Sequence, residues 1–193
     1  MPRRERGLPA HQTELSRAGN PRSAHSAPPH SAHSPPHRAL ITTAAAELLA
    51  KLQDKHGALM FHQSGGCCDG SSPMCYPEGE FIVGDRDVLL AILDVGGGVP
   101  VWISGSQFEA WKHTQLVIDV VEGRGGGFSV EAPEGVRFLS RGRAFTEEEM
   151  QALAATPPAT GAEFARGIRP PPSVSHIVGN PIDACPIPDA PGG

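Results

Sequence analysis

The chain has 193 residues, of which 39% are hydrophobic and 5% aromatic. Its 23 glycines and 20 prolines are enough to suggest segments without regular structure. The longest unbroken apolar run, Val88–Leu93, has six residues, far fewer than the roughly 20 that a membrane-spanning helix needs. The formal charge of −5 and a pI near 6.0 argue against a dedicated nucleic-acid-binding protein, which is normally basic.

Proline and charge divide the sequence into three parts. Residues 1–38 hold seven prolines, six arginines and two acidic residues, and residues 156–193 hold nine prolines. Residues 39–155 hold nine of the ten aromatic residues and sixteen acidic residues. Because the two ends lack the apolar surface that offsets the entropy cost of folding, we predict disordered tails around one domain at 39–155. The N-terminal segment has no apolar signal core, which favours a cytoplasmic protein.

Local patterns predict an α+β domain. Thr42 and Thr43 can cap a helix that ends at Gly57, and apolar and polar residues alternate at 128–131, so one face there should be buried. The other predicted elements are strands at 59–62, 80–83, 87–93, 99–103 and 116–121, short helices opened by capping boxes at Ser106 and Thr146, a loop at 63–79 and glycine turns at 96–98 and 123–127. Helices and strands in this order favour a mixed or antiparallel sheet with short helices.

The most informative segment lies in the predicted loop after the first long strand. It contains Cys67, Cys68 and Cys75, and His62 precedes it at the end of the strand. Thiolates and an imidazole are the ligands favoured by zinc and by iron–sulfur centres, and glycines in the loop let the backbone turn tightly. We therefore predict that these four residues bind zinc, iron or an iron–sulfur cluster.

Two other interpretations of the cysteines stay open. In the first, His62 activates one loop cysteine as a nucleophile and Asp69 orients the histidine, which would make the protein a thiol enzyme. In the second, the cysteines are small buried hydrophobic residues that only shape the loop. Cys185, alone in the proline-rich C-terminal part, is assigned no role. His113 is assigned to the surface or to a satisfied position in the core.

The loop and its surroundings resemble a known bacterial family. Residues 40–145 are similar to domain of unknown function 779, whose hallmark is the stretch His-Gln-Ser-Gly-Gly-Cys-Cys-Asp-Gly-Ser-Ser-Pro-Met-Cys at 62–75. The likeness continues through residues 107–111 and 114–138. Members of this family are often encoded beside aldehyde dehydrogenases. The resemblance therefore implies an accessory role, with an aldehyde dehydrogenase as a possible protein partner.

A more distant resemblance concerns the HesB-type A-type iron–sulfur carriers. Their Gly-Cys-Ser-Gly loop is mirrored by residues 68–70, and their later strands by residues 118–121 and 127–130. This resemblance implies a HesB-like fold. The carriers end in two further cysteine ligands, but Leu139 and Arg141 occupy those places here, so a metal site would have to lie wholly in the loop.

Together these observations predict a small cytoplasmic, non-catalytic accessory protein that binds a metal or an iron–sulfur cluster through Cys67, Cys68, Cys75 and His62. The alternatives are an interaction module associated with an aldehyde dehydrogenase and a Cys/His thiol enzyme. No nucleic acid and no membrane is expected as a partner.

Overall fold

The structure is a computed structural model that describes residues 36–63, 72–124 and 127–170. It has mixed α and β content, as the sequence predicts. In chain order the elements are β1 (Ala39–Ile41), α1 (Thr43–His56), β2 (Leu59–Gln63), β3 (Pro73–Pro77), β4 (Val88–Leu93), β5 (Val99–Ile103), α2 (Gly105–Trp111), β6 (Thr114–Glu122), a 3-10 turn (Ala132–Glu134), β7 (Val136–Ala144), α3 (Glu147–Ala154) and α4 (Gly161–Ala165).

The described strands form two small mixed sheets. One sheet has the order β1-β6-β7, with β1 parallel and β7 antiparallel to β6. The other has the order β3-β2-β5-β4, in which β2 and β5 are parallel and the outer pairs are antiparallel. Strand β2 is thus an inner strand of the second sheet, with β3 on one side and β5 on the other.

One hydrophobic core joins both sheets to α1. The helix begins after Thr42, whose hydroxyl accepts a hydrogen bond from the Ala45 amide, and it ends at Gly57, where φ is 80°. Its buried side chains, which include Leu49 and Leu52, lie in the same cluster as Phe61. Phe61 meets the ring of Phe138 edge to face, with centroids 4.9 Å apart. The predicted α1, with its cap and its stop, is confirmed.

A second, smaller cluster covers the other face of the β3-β2-β5-β4 sheet. Met60, Leu89 and Trp102 are its buried members. They are covered by side chains from the segment between β3 and β4 and by Phe164 of α4, whose ring lies edge to face with Trp102 at 5.1 Å. This sheet is therefore buried on both faces.

Packing continues past residue 155, where the sequence places the domain boundary. Thr160 caps α4 with a capping box and also forms an isolated bridge with Val88. The amide of Leu89 donates to the carbonyl oxygen of Ala159, and the amide of Gly161 donates to that of Asp87. Helix α4 therefore packs against the start of β4, on the C-terminal side of the predicted boundary at 155.

Two predicted strands are wrong. Residues 80–83 form no strand; they follow Gly79, which has a φ of 93°, and lie over the smaller cluster. Residues 128–131 form a turn that leads into the 3-10 helix at Ala132–Glu134. In that turn Phe128 is 85% exposed, while Ser129 and Glu131 are buried, because their side chains hydrogen-bond to one another and to the strand backbone.

Other differences concern boundaries and short elements. Strand β3 lies inside the predicted loop 63–79, and β1 and β7 were not predicted. Helix α2 begins one residue before Ser106, because the hydroxyl of Ser104 accepts from the Gln107 amide. The capping box at Thr146 is confirmed. Within the described ranges, no helix is long and apolar enough to cross a membrane.

Candidate functional site

The candidate site is built around His62 on the outer face of β2. Side chains alternate along a strand, so Phe61 faces the shared core and His62 faces the opposite side. Directly across the sheet from His62 lie Met74 of β3 and Trp102 of β5. The ring of Phe81 lies against the imidazole, with centroids 4.5 Å apart. His62 is the penultimate residue of β2, and its side chain lies in a partly buried, aromatic environment.

Asp87 is the polar partner of His62. The Nε2 atom of His62 lies 3.3 Å from Oδ2 of Asp87. That carboxylate oxygen also accepts a hydrogen bond of 2.8 Å from the amide of Gly84, while the Asp87 carbonyl oxygen accepts from the Gly161 amide. Asp87 is thus fixed through its side chain and its backbone before β4 begins.

These contacts determine which nitrogen of His62 carries the proton. A carboxylate only accepts hydrogen bonds, so Nε2–H donates to Asp87 and Nδ1 keeps its lone pair. Burial lowers the pKa of His62, and the nearby charge and hydrogen bond of Asp87 offset only part of that effect. The imidazole is therefore neutral at neutral pH, with Nδ1 able to accept a proton or bind a metal.

Cys75 lies on the opposite face of the sheet from His62. It pairs with Phe61 across the strands and is fully buried in the shared core. Burial raises the pKa of its thiol far above the ordinary value, and the charge of Glu131 adds to the effect. The sulfur is held as a neutral thiol away from the imidazole. The structure does not bring these two predicted ligands together.

Cys67 and Cys68 lie outside the described residues, as does Asp69. They belong to the segment that joins the end of β2 to the start of β3. In the described ranges, no three His, Cys, Asp or Glu side chains form a group that could hold a metal ion by themselves. The prediction that Cys67 and Cys68 bind a metal stays a prediction.

Next to Cys75, the turn that precedes the 3-10 helix is hydrogen-bonded to β3 and contains a buried acid, Glu131. The Cys75 amide donates to Oγ of Ser129 at 2.8 Å, and the Val130 amide donates to the Cys75 carbonyl oxygen. Ser129 in turn hydrogen-bonds the carboxyl group of Glu131. Burial raises the pKa of Glu131. This group secures the sheet edge behind Cys75 and does not reach the side of His62.

Arg141 and Leu139, the positions at which the HesB resemblance would place two further cysteines, lie on β7. Arg141 donates from Nε to Asp119 Oδ2 at 2.8 Å, and Thr42 donates to the other oxygen of that buried carboxylate. Leu139 lies opposite Asp119 on β7. An ion pair therefore holds β6, β7 and the start of α1 together at this place. Gly123 lies in the connection between β6 and β7, and its amide donates to the Gly135 carbonyl oxygen.

Comparison with known proteins supports the family resemblance. The sequence profile of the family described as Domain of unknown function (DUF779) matches residues 48–144, about half of the chain. The chain belongs to this family. No curated protein and no solved structure gave a match, so the likeness of this DUF779 protein to HesB-type carriers stays a prediction.

Sequence reasoning missed two side chains of the site. Asp87 follows His62 by 25 residues, and nothing in the sequence connects the two. Met74 follows from the pairing of β2 with β3, but the sequence predicts a loop over residues 63–79. Residues 73–77 are Pro-Met-Cys-Tyr-Pro, an apolar run with a proline at each end, so the sequence shows no alternation there, although Pro73 and Cys75 are buried and Met74 and Tyr76 are half-buried.

Proposed function

We propose that this DUF779 protein is a non-catalytic metal-binding protein whose ligands include His62, Cys67 and Cys68. The single observation that supports the proposal is the Asp87–His62 pair beside the cysteine segment. Histidines that bind metals almost always donate their other ring N–H to a carboxylate, a carbonyl oxygen or water, which fixes the tautomer and makes the free nitrogen more basic. His62 has this arrangement.

The chemistry of the donors fits a metal that accepts sulfur and nitrogen. Thiolates and a neutral imidazole bind zinc, iron and iron–sulfur clusters, and a neutral imidazole is what the lowered pKa of His62 provides. We leave Cys75 out of the proposed ligand set, because its sulfur is buried in the shared core and its pKa is raised. The proposal leaves the ion open among the metals that these donors accept.

Anaerobic purification of the full chain followed by metal analysis tests the proposal. We expect a stoichiometric metal in the natural protein, and its loss from His62→Gln, Cys67→Ser and Cys68→Ser. The matched control is Cys75→Ala, which we expect to keep the metal. A natural protein without metal, or a His62→Gln variant that retains it fully, would contradict the proposal.

The same pair also supports a second candidate, a thiol enzyme. A neutral imidazole oriented by Asp87 can take the proton of a cysteine thiol, as in Cys-His pairs of hydrolases and transferases. In this candidate Asp87 has the orienting role that the sequence assigned to Asp69. Rapid alkylation of Cys67 or Cys68 near neutral pH in metal-free protein, abolished by His62→Gln, would favour it. Slow alkylation that His62→Gln leaves unchanged would exclude it.

The predicted association with an aldehyde dehydrogenase stays a prediction. Co-purification with such an enzyme that survives replacement of Cys67 and Cys68 by serine would show that docking is independent of the metal.

A further inference from the structure

The side chain that faces His62 across the strands is a thioether. Met74 lies directly opposite His62 in the antiparallel β2–β3 pair, so both side chains leave the same face of the sheet. Opposite residues in such a pair have Cβ atoms about 4.5–5.5 Å apart. The strand register therefore places the thioether side chain beside the imidazole, on the same face of the sheet.

Met74 differs in burial from Met60, the other described methionine on this face. Met60 is 2% exposed and belongs to the buried cluster with Trp102. Met74 is half-buried, and among the described residues it belongs to neither hydrophobic cluster. Core packing accounts for Met60, whereas the described part of the chain holds Met74 by its contact with Tyr76.

The sulfur of Met74 is held in place by a hydrogen bond. The hydroxyl of Tyr76 donates to Sδ of Met74 at 3.2 Å, and the Tyr76 ring stacks on Phe81 with centroids 4.9 Å apart. Because a thioether sulfur has two lone pairs, one stays available when the other accepts this bond. Phe81 also lies against His62, so one aromatic ring supports both donors.

We propose that the metal of this site is monovalent copper, bound by Nδ1 of His62 and Sδ of Met74. Thioethers and thiolates are soft ligands that select Cu(I), whereas zinc sites use thiolate, imidazole and carboxylate. Both described donors are uncharged and lie among aromatic rings, and burial there costs less free energy for one positive charge than for two. The inference rests on the proposed function, because it names the ion for the same site.

Competition titrations of the full chain test the assignment. Cu(I) is supplied anaerobically against a chromophoric Cu(I) chelator, and Zn²⁺ is titrated separately against a zinc indicator. We expect Met74→Leu to weaken Cu(I) binding about tenfold or more, since even outer groups of metal sites contribute 10- to 100-fold, and to leave Zn²⁺ binding unchanged. The control Met60→Leu, a swap of similar volume on the same face, should change neither affinity.

Three other outcomes would overturn the copper assignment, and they differ in what they leave of the proposed function. Equal Cu(I) affinity of the natural protein and Met74→Leu would show that the thioether is not a ligand. Binding of Zn²⁺ without Cu(I) would reject copper and leave the proposed function standing. Failure to bind either ion would reject both. Circular dichroism of Met74→Leu, which should match that of the natural protein, guards against a folding defect.

Discussion

Neighbouring residues of β2 and β3 point to opposite faces of the sheet, and the two faces differ in polarity. On the inner face, Phe61 and Cys75 lie in a continuous apolar core, where the thiol is kept protonated. On the outer face, His62 and Met74 lie half-buried, and Asp87 orients the imidazole. A cysteine close in sequence to a cysteine-rich segment can thus point away from it into the core, because the alternation of side chains along the strand sets its direction.

The largest expected effect is on the inner face. Phe61→Ala removes a fully buried ring and its contact with Phe138, so the free energy of unfolding should fall by about 3–5 kcal/mol. Urea unfolding followed by tryptophan fluorescence measures it. His62→Ala, one residue away, should cost clearly less, because the imidazole is half-buried and outside the core. Equal losses would contradict the division between the faces.

A smaller loss of stability should follow from displacing Gly161, whose amide donates to the Asp87 carbonyl oxygen. A Cβ at position 161 would clash with the backbone carbonyl oxygen of Gly84, so Gly161→Ala must move α4 away from the 84–87 segment. We expect a loss of about 1–3 kcal/mol in stability, together with weaker metal binding. Gly97→Ala is the control, since its Cβ would meet no atom within 4 Å. Unchanged metal affinity in Gly161→Ala would show that the position of Asp87 is unimportant.

Replacing the buried thiol of Cys75 should lower the stability of the protein and leave its metal binding unchanged. Cys75→Ala removes one sulfur atom from the core, and we expect it to cost about 1 kcal/mol without changing metal content. In the native protein Cys75 should also react slowly with iodoacetamide, because burial raises the pKa of its thiol, and it should react at an ordinary rate in urea. Peptide mass spectrometry measures both rates. Loss of metal from Cys75→Ala would return this residue to the ligand set.

The smallest effect concerns pH. The pKa of Glu131 is raised by burial above its ordinary value of 4.5, so the folded protein binds more protons than the unfolded chain as pH rises from that value to the raised pKa. Stability from this group is therefore present below pH 4.5 and is lost as pH rises through the raised pKa. Glu131→Gln mimics the neutral acid, so it should be more stable than the natural protein at pH 8 and similar at pH 4. A stability difference between Glu131→Gln and the natural protein that does not vary with pH would contradict the raised pKa of Glu131.

Local signals predicted the local elements. Helix α1 has capping threonines and a stop glycine, and the capping box at Thr146 opens α3 as expected. The strands at 59–63 and 99–103 are apolar runs that the sequence also identifies. The alternation at 128–131 predicts a strand with Ser129 and Glu131 exposed. In the structure both are buried, because Ser129 hydrogen-bonds to Glu131 and to the Cys75 amide of β3, a strand that the sequence does not predict.

The candidate site was only partly predictable for the same reason. The sequence identifies His62 as a candidate by its place beside the cysteines, but it does not show which way a strand residue points. That direction follows from the pairing of Phe61 with Cys75 and of His62 with Met74. Asp87 meets His62 across 25 residues of sequence, with the Gly84 amide and the Gly161 amide as its other partners, and such long-range packing has no local signature.

The limits of the folded unit have a practical consequence for anyone producing a shorter fragment. The family match at 48–144 begins inside α1 and stops at the last residue of β7. A fragment cut at those limits would lack Ala39 and Ile41, both fully buried, and would lack the backbone partner that α4 gives to Asp87. Expression for spectroscopy or crystallisation should therefore retain at least residues 36–170.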